Sequence, residues 1–130
     1  MAPLRILIVD DNSLVRSGIR ILLETHENWA VCGEAANGVE AIAQAVALKP
    51  DVILLDISMP ELDGIKALPL MRRRVPEAAI IILTLHESLN LARIAAHWGI
   101  GGYVTKSVLA TDLVPLIESL EERANTLHHI

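Results

Sequence analysis

The chain has 130 residues, 52% of them hydrophobic, and a formal net charge of -5. This length fits one domain, 1–130, and because Phe is absent and Trp29, Trp98 and Tyr103 are the only large aromatic residues, its core must be aliphatic. The acidic balance and the scarcity of aromatic rings argue against a surface that binds nucleic acid. The single cysteine, Cys32, excludes an internal disulfide and fits a reducing compartment. Without a signal-peptide layout or an apolar run of about 20 residues, we expect a cytoplasmic domain with no membrane contact.

Short apolar runs alternate along the chain with segments of helical periodicity. Runs without a polar interruption are typical of strands buried on both faces, as in parallel sheets covered by helices. The predicted strands are Arg5–Val9, Trp29–Ala36, Val52–Asp56, Ala79–Thr84 and Gly102–Thr105. Five strands alternating with five helices predict an α/β fold, with a parallel sheet, helices on both faces and right-handed crossovers.

The helices are marked by caps and by apolar residues at helical spacing. We expect the first helix to begin at a Ser13 cap, the third at Asp63-Gly64 and the fourth at a Ser88 cap. Pro69 should kink the third helix or delay its start, and Gly99 should end the fourth in a left-handed conformation. The apolar residues of the first, second and fifth helices are Val15, Ile19, Leu22 and Leu23; Val39, Ile42 and Val46; and Leu113, Ile117, Leu120, Ala124 and Leu127. Such stripes normally face the core.

Polar residues stand where the predicted strands end. They are Asp10 and Asp11 after the first strand, Asp56 at the end of the third, Thr84 at the end of the fourth and Lys106 after the fifth. Both common strand orders of open α/β sheets place a ligand at this carboxyl edge. Clustered carboxylates repel each other unless a cation holds them together, and oxygen ligands without a nearby His or Cys suit Mg²⁺. With a hydroxyl and an ammonium added, the set describes a phosphoryl site.

Each of these residues also has an ordinary explanation when taken singly. Asp10 and Asp11 could belong to a turn with a helix cap, Thr84 could be a β-branched strand residue, and Lys106 could be a surface charge. Their coincidence at four strand ends favours a site. The chain lacks both glycine-rich nucleotide loops, so the phosphoryl group should arrive on another molecule. Asp56, beside the metal, is then the predicted nucleophile and would form a carboxyl phosphate.

The combined spacing of these segments resembles the receiver domain of two-component response regulators, over essentially the whole chain. The matching segments are Val9-Asp10-Asp11, Leu55-Asp56-Ile57-Ser58-Met59-Pro60, Asp63-Gly64, Leu83-Thr84 and Gly102-Tyr103-Val104-Thr105-Lys106. Val15-Arg16-Ser17-Gly18 and Gly33-Glu34-Ala35 are similar to regulators of the LuxR type, which usually carry a helix-turn-helix DNA-binding domain after the receiver. The resemblance implies a flavodoxin-like, doubly wound, five-stranded parallel sheet of order 2-1-3-4-5 with five helices.

The resemblance also implies a role for each residue at the strand ends. Asp56 matches the phosphate acceptor, which a histidine kinase or phosphotransfer protein would serve. Asp11 and Asp56 match direct Mg²⁺ ligands, completed by the main-chain carbonyl of Ser58. Asp10 matches the acid that holds a metal-bound water, and Lys106 matches the lysine that pairs with the phosphoryl group. The domain would catalyse its own phosphorylation and dephosphorylation and is not otherwise expected to be an enzyme.

Further residues are predicted to control the lifetime and the readout of the phosphorylated state. Thr84 matches the switch hydroxyl and Tyr103 the switch aromatic. Their movement would reshape the surface of the fourth helix, fifth strand and fifth helix, for homodimerisation or for docking a DNA-binding output domain outside this segment. Ser58 and His86, two residues after Asp56 and Thr84, are expected to affect how water reaches the phosphoryl group.

Three departures from the family pattern, one of them Pro69 in the third helix, and three rival functions qualify this interpretation. Ser107 follows Lys106 where many members have proline, which leaves that peptide's geometry open, and Leu85 would narrow access for the phosphodonor. A metal-dependent aspartyl phosphatase needs a second acid where this chain has Ser58. A flavodoxin-like electron carrier lacks ring-stacking aromatics near the strand ends. A receiver-like module that binds partners without being phosphorylated is the third alternative.

Overall fold

In the computed structural model, which describes residues 2–57, 64–85 and 89–128, the strands form one parallel sheet in the order β2-β1-β3-β4-β5. The strands are β1 Leu4–Val9, β2 Trp29–Ala35, β3 Val52–Asp56, β4 Ala79–Thr84 and β5 Gly102–Thr105. The helices are α1 Ser13–Glu24, α2 Gly38–Leu48, α3 Gly64–Arg74, α4 Leu89–Trp98 and α5 Leu109–His128, with a short 3-10 turn at Lys106–Val108. The predicted fold class and strand order are confirmed, and the strand bounds differ by one residue at most.

The central strand β3 shows why the apolar runs are unbroken. All five of its residues are buried. Ile53 and Leu55 pack with the buried residues of α2, α3 and α4 on one face of the sheet. Val52 and Leu54 pack with those of α1 and α5 on the other. Since successive side chains of a strand point to opposite faces, a strand covered on both sides needs apolar residues at every position.

Helix α2 presents a different face to the core from the one predicted. Val39 and Val46 are 61% and 41% exposed, so the expectation that they face the core is wrong. The buried residues of α2 are Gly38, Ala41 and Ala45. These small residues let α2 lie close to the sheet, and at the end of the helix Leu48 packs onto Gly33 of β2, where a Cβ would lie 2.7 Å from a Leu48 methyl group. Only a face of small residues lets a helix approach a sheet this closely.

The helix ends agree with the sequence prediction at some positions and differ at others. Asn12, not Ser13, caps α1, and its side chain accepts hydrogen bonds from the backbone N–H groups of residues 14 and 15. Asn and Ser are comparable caps, and the one whose backbone is extended takes the role. Pro69 lies inside α3 without delaying its start beyond Gly64, and Gly99 has the predicted left-handed conformation with φ +60. The third helix begins at Gly64 as predicted, whereas Asp63 and the predicted cap Ser88 lie outside the described residues.

In the last helix, α5, three of the five residues predicted to form an apolar stripe pack against the core. Leu113 and Ile117 are fully buried, and the partly buried Leu120 packs against the same core. Ala124 is exposed. None of the helices in the part of the chain that the structure describes is long and apolar enough to cross a membrane.

Candidate functional site

The carboxyl edge of the sheet brings three aspartates together. β1 and β3 are adjacent in the sheet, with Val9 opposite Leu55. The next residues, Asp10 and Asp56, therefore leave the sheet side by side. One carboxylate oxygen from each of Asp10, Asp11 and Asp56 lies within 4.8 Å of the other two. The clustering inferred from the strand ends is thus present in the structure.

Asp10 is held rigidly at the end of β1. Its side chain is fully buried, and its Oδ1 accepts a hydrogen bond of 2.9 Å from the backbone N–H of Asn12. Its backbone N–H donates to the carbonyl of Ala35 on β2 over 3.1 Å. Arg16 donates from Nη1 to the carbonyl oxygen of Asp10 over 2.6 Å. Asp11, by contrast, is exposed.

Lys106 reaches across the sheet edge from the end of β5. Its Nζ lies 2.8 Å from Oδ2 of Asp10 and 3.2 Å from Oδ2 of Asp56. Burial alone would lower the pKa of Lys106, but the hydrogen bond to Asp10 and the charge of Asp56 together outweigh it, and the pKa is raised. Lys106 is therefore an ammonium at neutral pH, and it links the strands β1, β3 and β5.

The residues at this edge fit a divalent cation. Three carboxylates face one ammonium, and two of the three, Asp10 and Asp56, are 0% and 1% exposed. Buried carboxylates are costly unless their charge is compensated. The excess of two negative charges equals the charge of one divalent ion, and a donor set made of oxygen alone is the kind that Mg²⁺ prefers. Ser58, whose carbonyl was predicted to join the set, lies outside the described residues.

The two predicted switch residues lie on adjacent strands. Thr84 ends β4 and is 5% exposed, and it lies opposite Thr105 of β5. Tyr103, opposite Ile82, is half-buried and packs against the core that includes Leu91 of α4.

The structure describes both positions next to the site at which the chain departs from the family pattern, Leu85 and Ser107. Leu85, the residue after Thr84, is 56% exposed. His86 lies outside the described residues. The peptide bond between Lys106 and Ser107, whose geometry the sequence left open because proline is absent there, is trans.

Two features of the site were not predicted. Arg16 and Glu34 belong to the two sequence segments that resemble LuxR-type regulators, and in the structure they form an ion pair of 2.9 Å beside Asp10. Opposite charges in α1 and β2 are the only sequence signal for this contact, since the residues are 18 positions apart. The second feature is the close packing of Gly64 against the backbone of Asp56.

Together, the fold and this edge define a class of protein, a doubly wound α/β domain with an acidic, oxygen-lined site at its topological switch point. A family model described as the response regulator receiver domain matches residues 6–118. The chain belongs to this family.

The relatives include regulators of the LuxR type. The chain is 35% identical over 115 residues, 88% of its length and 55% of the relative's, to the response regulator protein VraR of Staphylococcus saprophyticus. It is 32% identical over 117 residues, 90% of its length and 55% of the relative's, to the transcriptional regulatory protein MctR of Rhizobium johnstonii. The chain thus spans about half the length of the curated relatives it matches.

Solved structures show the same fold. A LuxR-family two-component response regulator from Aurantimonas is 37% identical with a TM-score of 0.85, covering 92% of this chain and 85% of that one. The isolated receiver domain of RcsB from Salmonella enterica serovar Typhimurium, solved with the phosphomimetic BeF3-, is 30% identical with a TM-score of 0.85, covering 92% and 89%.

Proposed function

We propose that this receiver domain accepts a phosphoryl group on Asp56 from a histidine kinase or a phosphotransfer protein, with Mg²⁺ bound by the aspartate cluster. The observation that carries the proposal is the position of Asp56, beside two further carboxylates and within 3.2 Å of the Lys106 ammonium. This arrangement supplies an oxygen nucleophile, a place for a divalent cation and a fixed positive charge at one point.

The chain's own residues divide the work of phosphoryl transfer. A carboxylate oxygen of Asp56 forms the new O–P bond while the bond between phosphorus and the donor's imidazole nitrogen breaks, and that nitrogen keeps the electron pair. Lys106, whose raised pKa keeps it charged, stabilises the negative charge on the phosphoryl oxygens. Mg²⁺ bound at Asp11 and Asp56 would supply further neutralisation of that charge. The buried Asp10 holds Lys106 in place and would bind a metal-coordinated water.

The same proposal includes how phosphorylation of Asp56 is converted into an output. Phosphorylation would draw the Thr84 hydroxyl toward the phosphate, let Tyr103 turn inward and change the α4-β5-α5 surface, for homodimerisation or for docking an output domain. Transcription control through a DNA-binding domain outside these 130 residues is supported by the names of the longer relatives, among them a transcriptional regulatory protein. The predicted effects of Ser58 and His86 on lifetime, and the cytoplasmic location, stay predictions.

Labelling with acetyl phosphate and Mg²⁺ tests the phosphoacceptor assignment. Wild-type protein should incorporate phosphate that both acid and base release, and Asp56→Asn should abolish the incorporation. Asp51→Asn is the matched control, because Asp51 precedes the same strand at the opposite edge, where its Oδ2 accepts a hydrogen bond from the backbone N–H of Arg5. Undiminished labelling of Asp56→Asn would reject the assignment. A wild type that binds partners but is never labelled would favour the non-phosphorylated alternative.

A further inference from the structure

Two sequence segments that the phosphoacceptor chemistry leaves unexplained meet beside the site. Arg16 of α1 donates from Nε to Oε1 of Glu34 on β2 over 2.9 Å. The same guanidinium donates from Nη1 to the carbonyl oxygen of Asp10 over 2.6 Å. Arg16 thus bridges a side chain on the edge strand and the backbone of the loop that carries the first two aspartates.

Glu34 is itself fixed on both of its oxygens. Its second oxygen, Oε2, accepts from Nε and Nη2 of Arg20 over 2.9 and 2.7 Å. The side chains of Arg16 and Glu34 are only 18% and 29% exposed. The Arg16 guanidinium, which donates to both Glu34 and the Asp10 carbonyl in a partly buried position, is therefore restricted far more than in a solvated surface pair.

The contact with Asp10 acts on the peptide that leads into Asp11. The carbonyl held by Arg16 belongs to the peptide unit between Asp10 and Asp11, and that unit is planar. Its orientation fixes the direction of the N–Cα bond of Asp11 and so, together with the φ angle of Asp11, the direction of that side chain. The exposed carboxylate of Asp11 has no hydrogen bond or ion pair to any described residue, so the backbone has the larger part in placing it.

We propose that Arg16, held by Glu34, is a positioning residue for the Mg²⁺ site, which orients the Asp10–Asp11 peptide so that both carboxylates face Asp56. The inference rests on the proposed function and adds to it residues that touch neither metal nor phosphate. Groups that orient metal ligands in this way typically change metal affinity by an order of magnitude when they are removed.

Simple electrostatics and the positioning role predict opposite changes in Mg²⁺ affinity when Arg16 is replaced, which makes the proposal testable. Arg16 is a cation beside a cation site, and its removal should strengthen Mg²⁺ binding if charge alone mattered. Positioning predicts that Arg16→Gln weakens Mg²⁺ binding about tenfold. Arg16→Lys should weaken it similarly, although it keeps the charge, because an ammonium lacks the planar fork that serves two acceptors at fixed angles.

Arg20→Gln is the matched control. Arg20 lies one turn later on the same helix and binds the same Glu34, but no contact joins it to Asp10 among the described residues. We expect its Mg²⁺ affinity to stay within about twofold of wild type, since only the bridge to Asp10 transmits the effect. Thermal unfolding of each variant, without metal, establishes that the compared proteins are folded.

The experiment is a Mg²⁺ titration by calorimetry, with the ¹⁵N chemical shift of the Asp11 amide as a second readout. Weaker binding in Arg16→Gln and Arg16→Lys, with Arg20→Gln near wild type, is the expected result. Unchanged or tighter binding in both Arg16 variants overturns the positioning role, and so does an equal loss in Arg20→Gln. Asp11→Ala separates the two proposals: if it leaves Mg²⁺ affinity unchanged, the metal site itself is wrong, whereas a loss there with none in the Arg16 variants rejects the positioning role alone.

Discussion

Gly64, the first residue of α3, lies directly against the backbone of Asp56. A Cβ at position 64 would overlap the carbonyl oxygen of Asp56 and lie 2.7 Å from the Cα of Ile57. The start of the helix and the proposed phosphoacceptor are therefore packed with no side chain between them. Any substitution at Gly64 must move one backbone segment or the other.

The first prediction follows from this packing. Gly64→Ala should lower the free energy of unfolding by about 1–3 kcal/mol, as overpacking against backbone does, and should slow labelling of Asp56. Gly18→Ala is the control, because Gly18 lies in a helix with nothing within 4 Å of the added Cβ. It should be neutral or stabilising by up to about 1 kcal/mol through helix propensity. Urea unfolding measures both, and equal stability of Gly64→Ala and wild type would contradict the packing argument.

The second prediction concerns Lys106, the ammonium that links β1, β3 and β5. Lys106→Met leaves the carboxylates of Asp10 and Asp56, 0% and 1% exposed, without their ammonium. Breaking one side of a buried ion pair costs about 3 kcal/mol, so unfolding in urea without metal should show a loss of this order. Mg²⁺ should then stabilise the variant more than the wild type, since the metal compensates charges that Lys106 no longer does.

Lys49→Met is the matched control for Lys106→Met. Lys49→Met changes the same residue type at an exposed position for which no ion pair is present among the described residues, and it should change stability by less than about 0.5 kcal/mol. If Lys106→Met were as stable as Lys49→Met in the absence of metal, the ammonium would not be needed to hold the buried carboxylates.

The third prediction concerns the switch. Beryllofluoride, which stands in for the phosphoryl group on Asp56, should change the NMR chemical shifts of Thr84, Tyr103 and the backbone of α4. The half-buried Tyr103 packs against the core that includes Leu91 of α4, so a rotation of its ring would change the chemical environment of α4. Shifts confined to the neighbours of Asp56 would show that the coupling is wrong while the phosphoacceptor assignment survives.

The fourth prediction concerns pH. The hydrogen bond from Arg20 lowers the pKa of Glu34, burial opposes this shift, and the hydrogen bond from Arg16 adds to it, with a net lowering from the ordinary value of 4.5. A lowered pKa in the folded state means that the stabilisation is fully present above about pH 4.5 and is lost as the pH falls through the folded-state value.

A comparison of wild type with Glu34→Gln measures this contribution. The difference in unfolding free energy should be constant from pH 7 to about pH 5 and should shrink below about pH 4.5, as the wild-type carboxylate becomes protonated. A difference that stayed constant down to pH 3 would show that the ion pairs with Arg16 and Arg20 do not stabilise the fold.

The sequence by itself determined the sheet and the residues at its functional edge. A strand buried on both faces must be apolar throughout, so β3 and β4 were predicted with their correct bounds. In a parallel sheet all carboxyl ends lie at one edge, so the polar residues after the strands share that edge, and the adjacency of β1 and β3 in the sheet brings Asp10 beside Asp56. The proximity of Asp10, Asp11 and Asp56 follows from that geometry.

Only the tertiary structure decided how helices approach the sheet and which distant residues touch. The helical spacing of apolar residues suggested that Val39 and Val46 face the core, but close packing of α2 on the sheet places its alanines there. The pairing of Arg16 with Glu34 depends in the same way on the rotation of α1 over β2. Periodicity along the chain fixes which residues share a face, whereas the rotation and the distance of that face are set by packing against elements far away in sequence.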